Sequence, residues 1–83
     1  MSYKLAFKKS VARDLKKLEP DQADRILSKI ETDLPEKADR FLTLTGKFSG
    51  LRRFRVGNYR VIYTIIEDTA LVLRISHRRE VYR

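Results

Sequence analysis

Six side chains in the second half of this chain are of the kinds that handle a phosphodiester: Arg53, Arg55, Arg60, His77, Arg78 and Tyr82. Arginine is a permanent cation whose planar fork grips a phosphate through two parallel hydrogen bonds, where lysine offers a mobile point charge. From Leu51 to Arg83 there are eight arginines and no lysine, threaded through apolar alternation, and the chain's one histidine follows the last apolar run. Histidine, with an ordinary pKa of about 6.5, exchanges protons at neutral pH. Tyrosine, at about 10, does so only when cations lower it, and neighbouring arginines push that way. The chemistry that suits these groups is metal-free cleavage of RNA. A ribose 2′-hydroxyl attacks the adjacent phosphorus, the 5′ oxygen leaves, and a cyclic phosphate and a free 5′-hydroxyl result. Such a step needs a base, an acid and cations around the developing negative charge. DNA lacks the 2′-hydroxyl, so this route selects RNA by itself. Lys47, Arg52, Arg79 and Arg83 are the further cations expected to touch the RNA backbone.

Composition sets the frame for that chemistry. Eighty-three residues provide for one small domain, residues 1–83, with a thin core. An apolar fraction of 42% is that of a globular protein in spite of 36% charged residues. The absence of cysteine removes disulfide and thiolate chemistry and fits a reducing cytoplasm. With one histidine besides, a transition-metal site is not expected, and no cofactor is. No apolar run reaches a bilayer's thickness, and the opening MSYKLAFKK lacks the apolar stretch of a signal peptide. The net charge of +8 is uneven: residues 1–46 hold ten basic and eight acidic side chains, residues 47–83 nine and three. An excess gathered in one half is expected of a protein with one face toward a polyanion.

The elements that must position these groups follow from periodicity. Tyr3, Leu5 and Phe7 alternate with Lys4 and Ala6 as in a strand with one apolar face. Ser10 suits a helix N-cap, and Val11, Leu15 and Leu18 repeat behind it at helical spacing, with Arg13, Lys16 and Lys17 on the wet side. Pro20 suits the first turn of a second helix carrying Ala23, Ile26, Leu27, Ile30 and Leu34 on one stripe. The short Leu18–Pro20 joint makes the two an antiparallel hairpin. Pro35 is expected to stop the second helix, and residues 35–50 to form a loop. Three strands follow as a meander: Leu51–Val56, a Gly57-Asn58 turn, Tyr59–Ile66, then Ala70–Ser76, apolar enough to be interior. The fold class is therefore α+β, in the order β-α-α-β-β-β, a small antiparallel-rich sheet with an N-terminal helical hairpin packed on one face.

Strand parity sets Arg53 and Arg55 on one face and Phe54 and Val56 on the other. The apolar side must meet the helices, which leaves both arginines on the open side with Arg60 beside them. His77, Arg78 and Tyr82 are expected to leave the last strand and fold over the same rim. Each group also has a plainer role: Arg53 and Arg55 as the solvated face of an edge strand, His77 as a surface histidine. Arg74, inside an apolar strand, reads as a structural partner of a carboxylate, and Tyr59 and Tyr63 as core rather than base-stacking platforms. Asp21 and Asp24 fit the charge preference of a helix start.

The stretch Phe54-Arg55-Val56-Gly57-Asn58-Tyr59-Arg60-Val61-Ile62-Tyr63 and the ending Leu73-Arg74-Ile75-Ser76-His77-Arg78-Arg79-Glu80-Val81-Tyr82-Arg83 resemble the RelE/ParE superfamily of type II toxin–antitoxin systems, and within it the RelE branch. The opening Tyr3–Phe7 followed by Lys8, Ala12 and Leu15 resembles the start of that family, so the likeness spans the chain. It implies a ribosome-dependent endoribonuclease, an mRNA interferase that cuts messenger RNA in the decoding A site and stops translation. By position it implies that Arg53 and Arg55 are the basic pair of the second strand and Arg60 the phosphate-binding arginine. Arg78 becomes the arginine after the last strand, Tyr82 the C-terminal tyrosine, and His77 a general acid. The family pattern has lysines where this chain has Arg53 and Arg55, and arginine does not readily give up a proton. The base is then Tyr82 or His77, or activation is purely electrostatic.

The resemblance also implies partners: the ribosome and messenger RNA, and an acidic RelB-like antitoxin laid across the helical hairpin or along the sheet. The toxin alone is expected to be a monomer and to form a hetero-oligomer with that antitoxin. A ParE-like toxin, which poisons DNA gyrase by binding without catalysis, is the alternative, since that branch shares the fold and a similar strand ending. The Arg53/Arg55 pair and the Glu80-Val81-Tyr82 ending favour the RNase.

Overall fold

A computed structural model describes residues 2–43 and 50–77. The elements run β1 (Lys4–Phe7), α1 (Lys9–Lys16), α2 (Pro20–Lys37), β2 (Leu42–Thr43), β3 (Arg52–Val56), β4 (Tyr59–Ile66) and β5 (Thr69–His77). The strands form one sheet in the order β1-β5-β4-β3-β2, antiparallel except where β1 joins β5. The expected α+β class and meander hold. β5 is interior, flanked by β1 and β4, which fits its apolar run of Ala70, Leu71, Val72, Leu73 and Ile75.

The core lies between one sheet face and the helices. Val11, Ile26, Ile30 and Leu34 of the helices meet Phe54, Val56, Val61, Tyr63, Ala70, Val72 and Ile75 of the sheet. These are the apolar stripe of α2 and the alternating inward positions of β3–β5, so the periodicities of 3.6 and 2 each supply one wall. Phe7 departs from the expected apolar face of β1, since it stands 42% exposed at the strand's end.

Around the helices, three boundaries differ from the sequence reading. Ser10 caps nothing: the N-cap of α1 is Lys8, and the Ser10 hydroxyl donates instead to the Leu73 carbonyl at 2.6 Å. The hydroxyl thus serves a tertiary acceptor rather than accepting from a backbone N–H at the helix start. Pro35 does not stop α2, which runs on to Lys37. Proline's missing N–H costs only one bond this close to a helix end, and the fully buried Leu34 and Ala38 on either side hold the turn against the core. The carbonyls left over there find partners: Pro35 accepts the Tyr3 N–H at 2.7 Å, Lys37 the Arg40 N–H at 2.9 Å, and Ala38 the Tyr63 hydroxyl. The loop expected from 35 to 50 contains β2, which pairs Leu42 with Arg53 and Thr43 with Arg52.

The β3–β4 and β4–β5 turns each span two residues. Gly57, at φ +58°, opens the β3–β4 turn in the left-handed region that glycine enters without steric cost. Glu67, at φ +55°, does the same in the β4–β5 turn as a non-glycine residue. Among the described residues no helix is long and apolar enough to cross a membrane.

Candidate nucleic-acid interface

Register decides which side chains share a face. β3 and β4 pair Arg55 with Arg60, Phe54 with Val61 and Arg53 with Ile62. Directly opposed residues point the same way, so Arg53, Arg55 and Arg60 stand together on the face away from the helices. Phe54 and Val56 are buried beneath, while Arg55 is exposed. Arg53 and Arg55 therefore share the open face that strand parity requires, and Arg60 stands beside them as expected. Arg55 is further oriented by its own turn, its Nε donating to the Gly57 carbonyl at 3.3 Å.

A cleft of about 360 Å³ runs along the outer edge of β3, lined by Arg40, Phe41, Arg53, Phe54, Arg55 and Arg60. It exists because β2 is only two residues long and covers β3 opposite Arg52 and Arg53 alone. The rest of that edge borders the Arg40–Phe41 segment, so one opening gathers four arginines. Opposed arginines repel: like charges directly across an antiparallel pair cost roughly 0.2–1 kcal/mol. An anion between Arg55 and Arg60 would reverse the sign of that term, and an opening lined by four arginines suits a phosphate better than a neutral ligand.

Arg52 is used differently from its neighbours. Its Nη1 donates to the carbonyls of Asp39 and Phe41, at 3.2 and 2.9 Å, so it braces the backbone behind the cleft. Arg40 and Phe41 escaped the sequence reading, which took that stretch for a loop. The alternation of β3 gives no hint of what lies beside it.

His77 does not leave the last strand, contrary to expectation. It is the final residue of β5, paired with Tyr59, and the two rings meet edge-on with centroids 5.3 Å apart. Ser76 pairs with Arg60. His77 therefore shares the face of Tyr59 and Val61, and Arg60 the opposite one. Described residues do not bring its imidazole among the arginines. Lys47, Arg78, Arg79, Tyr82 and Arg83 lie outside the described residues.

The expected structural arginine has its carboxylate. β1 ends at Phe7, opposite Val72, and beyond that point α1 takes the strand's place along β5. One turn apart on α1, Ser10 donates to the Leu73 carbonyl and Asp14 accepts the Ile75 N–H at 2.8 Å. Asp14, only 7% exposed, also accepts from Nε and Nη2 of Arg74 at 3.0 and 3.2 Å. Tyr63, fully buried, is core as expected; burial pushes its phenol pKa from 10.0 up to about 12, against the pull of Arg52. Among the described residues no three His, Cys, Asp or Glu side chains are grouped to hold a metal ion.

Comparison with known proteins agrees with this architecture. The family described as the ParE toxin of type II toxin–antitoxin system, parDE, matches residues 5–82. Toxin RelG of Mycobacterium tuberculosis is 31% identical over 86 residues, covering 100% of this chain and 99% of that protein. The toxin–antitoxin complex RelBE2 of Mycobacterium tuberculosis contains a chain that superposes with a TM-score of 0.87 at 30% identity, over 94% of this chain and 100% of that one. A chromosomal ParDE system from P. aeruginosa superposes at 0.73 with 16% identity, over 92% of this chain and 96% of that one, a likeness of fold alone. With its sheet order, its helical layer and its whole described length accounted for by these matches, the chain belongs to the RelE/ParE superfamily and is a toxin of a type II toxin–antitoxin system.

Proposed function

We propose that this toxin is a ribosome-dependent, metal-independent endoribonuclease that cuts messenger RNA in the decoding A site by 2′-hydroxyl attack, and so stops translation in the cytoplasm. The observation that carries the reading is the opposed pair Arg55 and Arg60, with Arg53 on the same face and all three bordering one cleft. Their guanidiniums hold the scissile phosphate and stabilise the charge that gathers on it in the transition state. Arg78, beyond the end of β5, adds a further cation. With arginine in the strand positions, the proton leaves the 2′-hydroxyl toward Tyr82, or simply under the field of the arginines. His77, at the end of β5 on the face opposite the three arginines, is the candidate acid for the leaving 5′ oxygen. Arg52 serves the RNA site by bracing its wall, and Lys47, Arg79 and Arg83 contact the RNA backbone.

The antitoxin is an acidic, RelB-like chain that covers the basic surface. Support comes from the +8 charge and from RelBE2, itself a toxin–antitoxin complex, at 30% identity. The alternative, a toxin that binds DNA gyrase and does no chemistry, is favoured by the name of the matching family. Against it stand the arginine cleft and the greater identity to RelG and RelBE2 than to the ParDE system.

One experiment separates the two. Messenger RNA 5′ ends are mapped after brief induction and, in parallel, with purified ribosomes. Cuts within codons that depend on ribosomes are expected, and Arg60→Ala should slow them at least about 100-fold, the usual loss when a donor to the transition state is removed. Arrested growth with an intact message pool and broken DNA would move the assignment to gyrase.

A further inference from the structure

The cleft has a second wall that the strand arginines do not supply. Arg40 is exposed and Phe41 half-buried at its border, and both follow directly on the last turn of α2. Their backbone is pinned on either side: Arg52 holds the carbonyls of Asp39 and Phe41, and the Arg40 N–H donates to Lys37. Phe41 packs one side on buried Phe54, ring centroids 4.6 Å apart and planes tilted by 47°. An aromatic ring backed by core and bordered by guanidiniums is a surface on which a nucleobase stacks while its phosphate is held. At about 360 Å³ the opening falls within the range of small-ligand sites, roughly 300–1,000 Å³.

We propose that Arg40 and Phe41 form a nucleotide subsite beside the scissile phosphate, Arg40 pairing with a neighbouring phosphate of single-stranded RNA and Phe41 stacking on a base. Arg52 is the positioning residue of this subsite. It touches no RNA and acts by fixing the segment from Asp39 to Phe41. The inference rests on the RNase reading for its ligand class, but not on the identity of the general base.

The test uses a fluorescein-labelled, fully 2′-O-methylated RNA hexamer, which binds but cannot be cut, titrated by anisotropy over a series of salt concentrations. Ribosome-dependent cleavage by the unaltered chain is measured alongside. Arg40→Ala is expected to weaken binding about tenfold and to lower the slope of log affinity on log salt by about one, the mark of a lost phosphate contact. Phe41→Leu, which keeps the packing on Phe54, should weaken binding at least about tenfold with the slope unchanged, as loss of stacking does. Arg52→Lys keeps the charge and should also weaken binding without changing the slope. Arg25→Ala, exposed on α2, is the charge-matched control. Arg40→Ala behaving like Arg25→Ala, or the unaltered chain failing to bind the hexamer, would overturn the subsite. Normal Arg40-dependent binding by a chain that cuts no message on ribosomes would sink the RNase reading and leave the subsite standing.

Discussion

Asp14 shows how one carboxylate can join two layers. It is buried on α1 and bound to the Ile75 N–H and to Arg74, whose side chain is 58% exposed. Solvent screens the ion pair at the Arg74 end, so the backbone hydrogen bond carries most of the effect. Asp14→Ala strands a buried N–H and should cost about 1–3 kcal/mol in urea unfolding. Asp14→Asn keeps an acceptor for Ile75 and should recover a large part; equal losses for both variants would show that the Arg74 pairing dominates. Tyr63 is the corresponding lock between β4 and the end of α2. Tyr63→Phe leaves the fully buried Ala38 without the phenol donor and should cost about 1–2 kcal/mol at neutral pH. The unfolded chain gives up the Tyr63 proton at about pH 10, whereas the folded one keeps it to about 12. The stability this residue contributes is therefore whole below pH 10 and is lost as pH rises through 12. Thermal melts across that window should show the Phe variant's deficit shrinking; a constant deficit would contradict the raised pKa.

In the proposed function, the β3–β4 hairpin trades stability for a binding surface. Arg55 and Arg60 oppose each other across it, and Arg60→Gln removes the repulsion. That variant should be more stable by roughly 0.2–1 kcal/mol in low salt while losing RNA cleavage. Added phosphate should raise the melting temperature of the unaltered chain more than that of the variant, and equal shifts would mean that the pair binds no anion. This hairpin was also the most legible element, because alternation, a Gly-Asn turn and apolar partners all point to the same register. α2 was legible in its stripe but not in its end, since Pro35 is overruled by the burial of Leu34 and Ala38. β2, two residues long, has too few positions to show a period. The parallel seam of β1 on β5 leaves no local trace either, because its partners are separated by the rest of the fold. The arginine face could thus be read from β3 and β4 alone. The Arg40–Phe41 wall and the side on which His77 stands depend on neighbours that only the assembled sheet supplies.

For the whole molecule, charge and topology work toward the same end. The face away from the helices carries Arg53, Arg55 and Arg60, and the helical layer closes the other side, so the proposed RNA would meet one surface. Nineteen basic against eleven acidic residues keep the long-range field positive around both.

The sheet order also governs when that surface comes into being. β5 joins β1 to β4 and is translated after every other described element, so the first strand made waits for the last before it can pair. Contacts this distant in sequence close slowly and late. A fragment ending at Ile66 contains both helices and four strands, yet it should show no cooperative melt and should be digested quickly. A sharp thermal transition for that fragment would contradict this. Until β5 has been made, the chain is a set of parts without a joint, and the arginine cleft gains its solid backing only once that strand is in place.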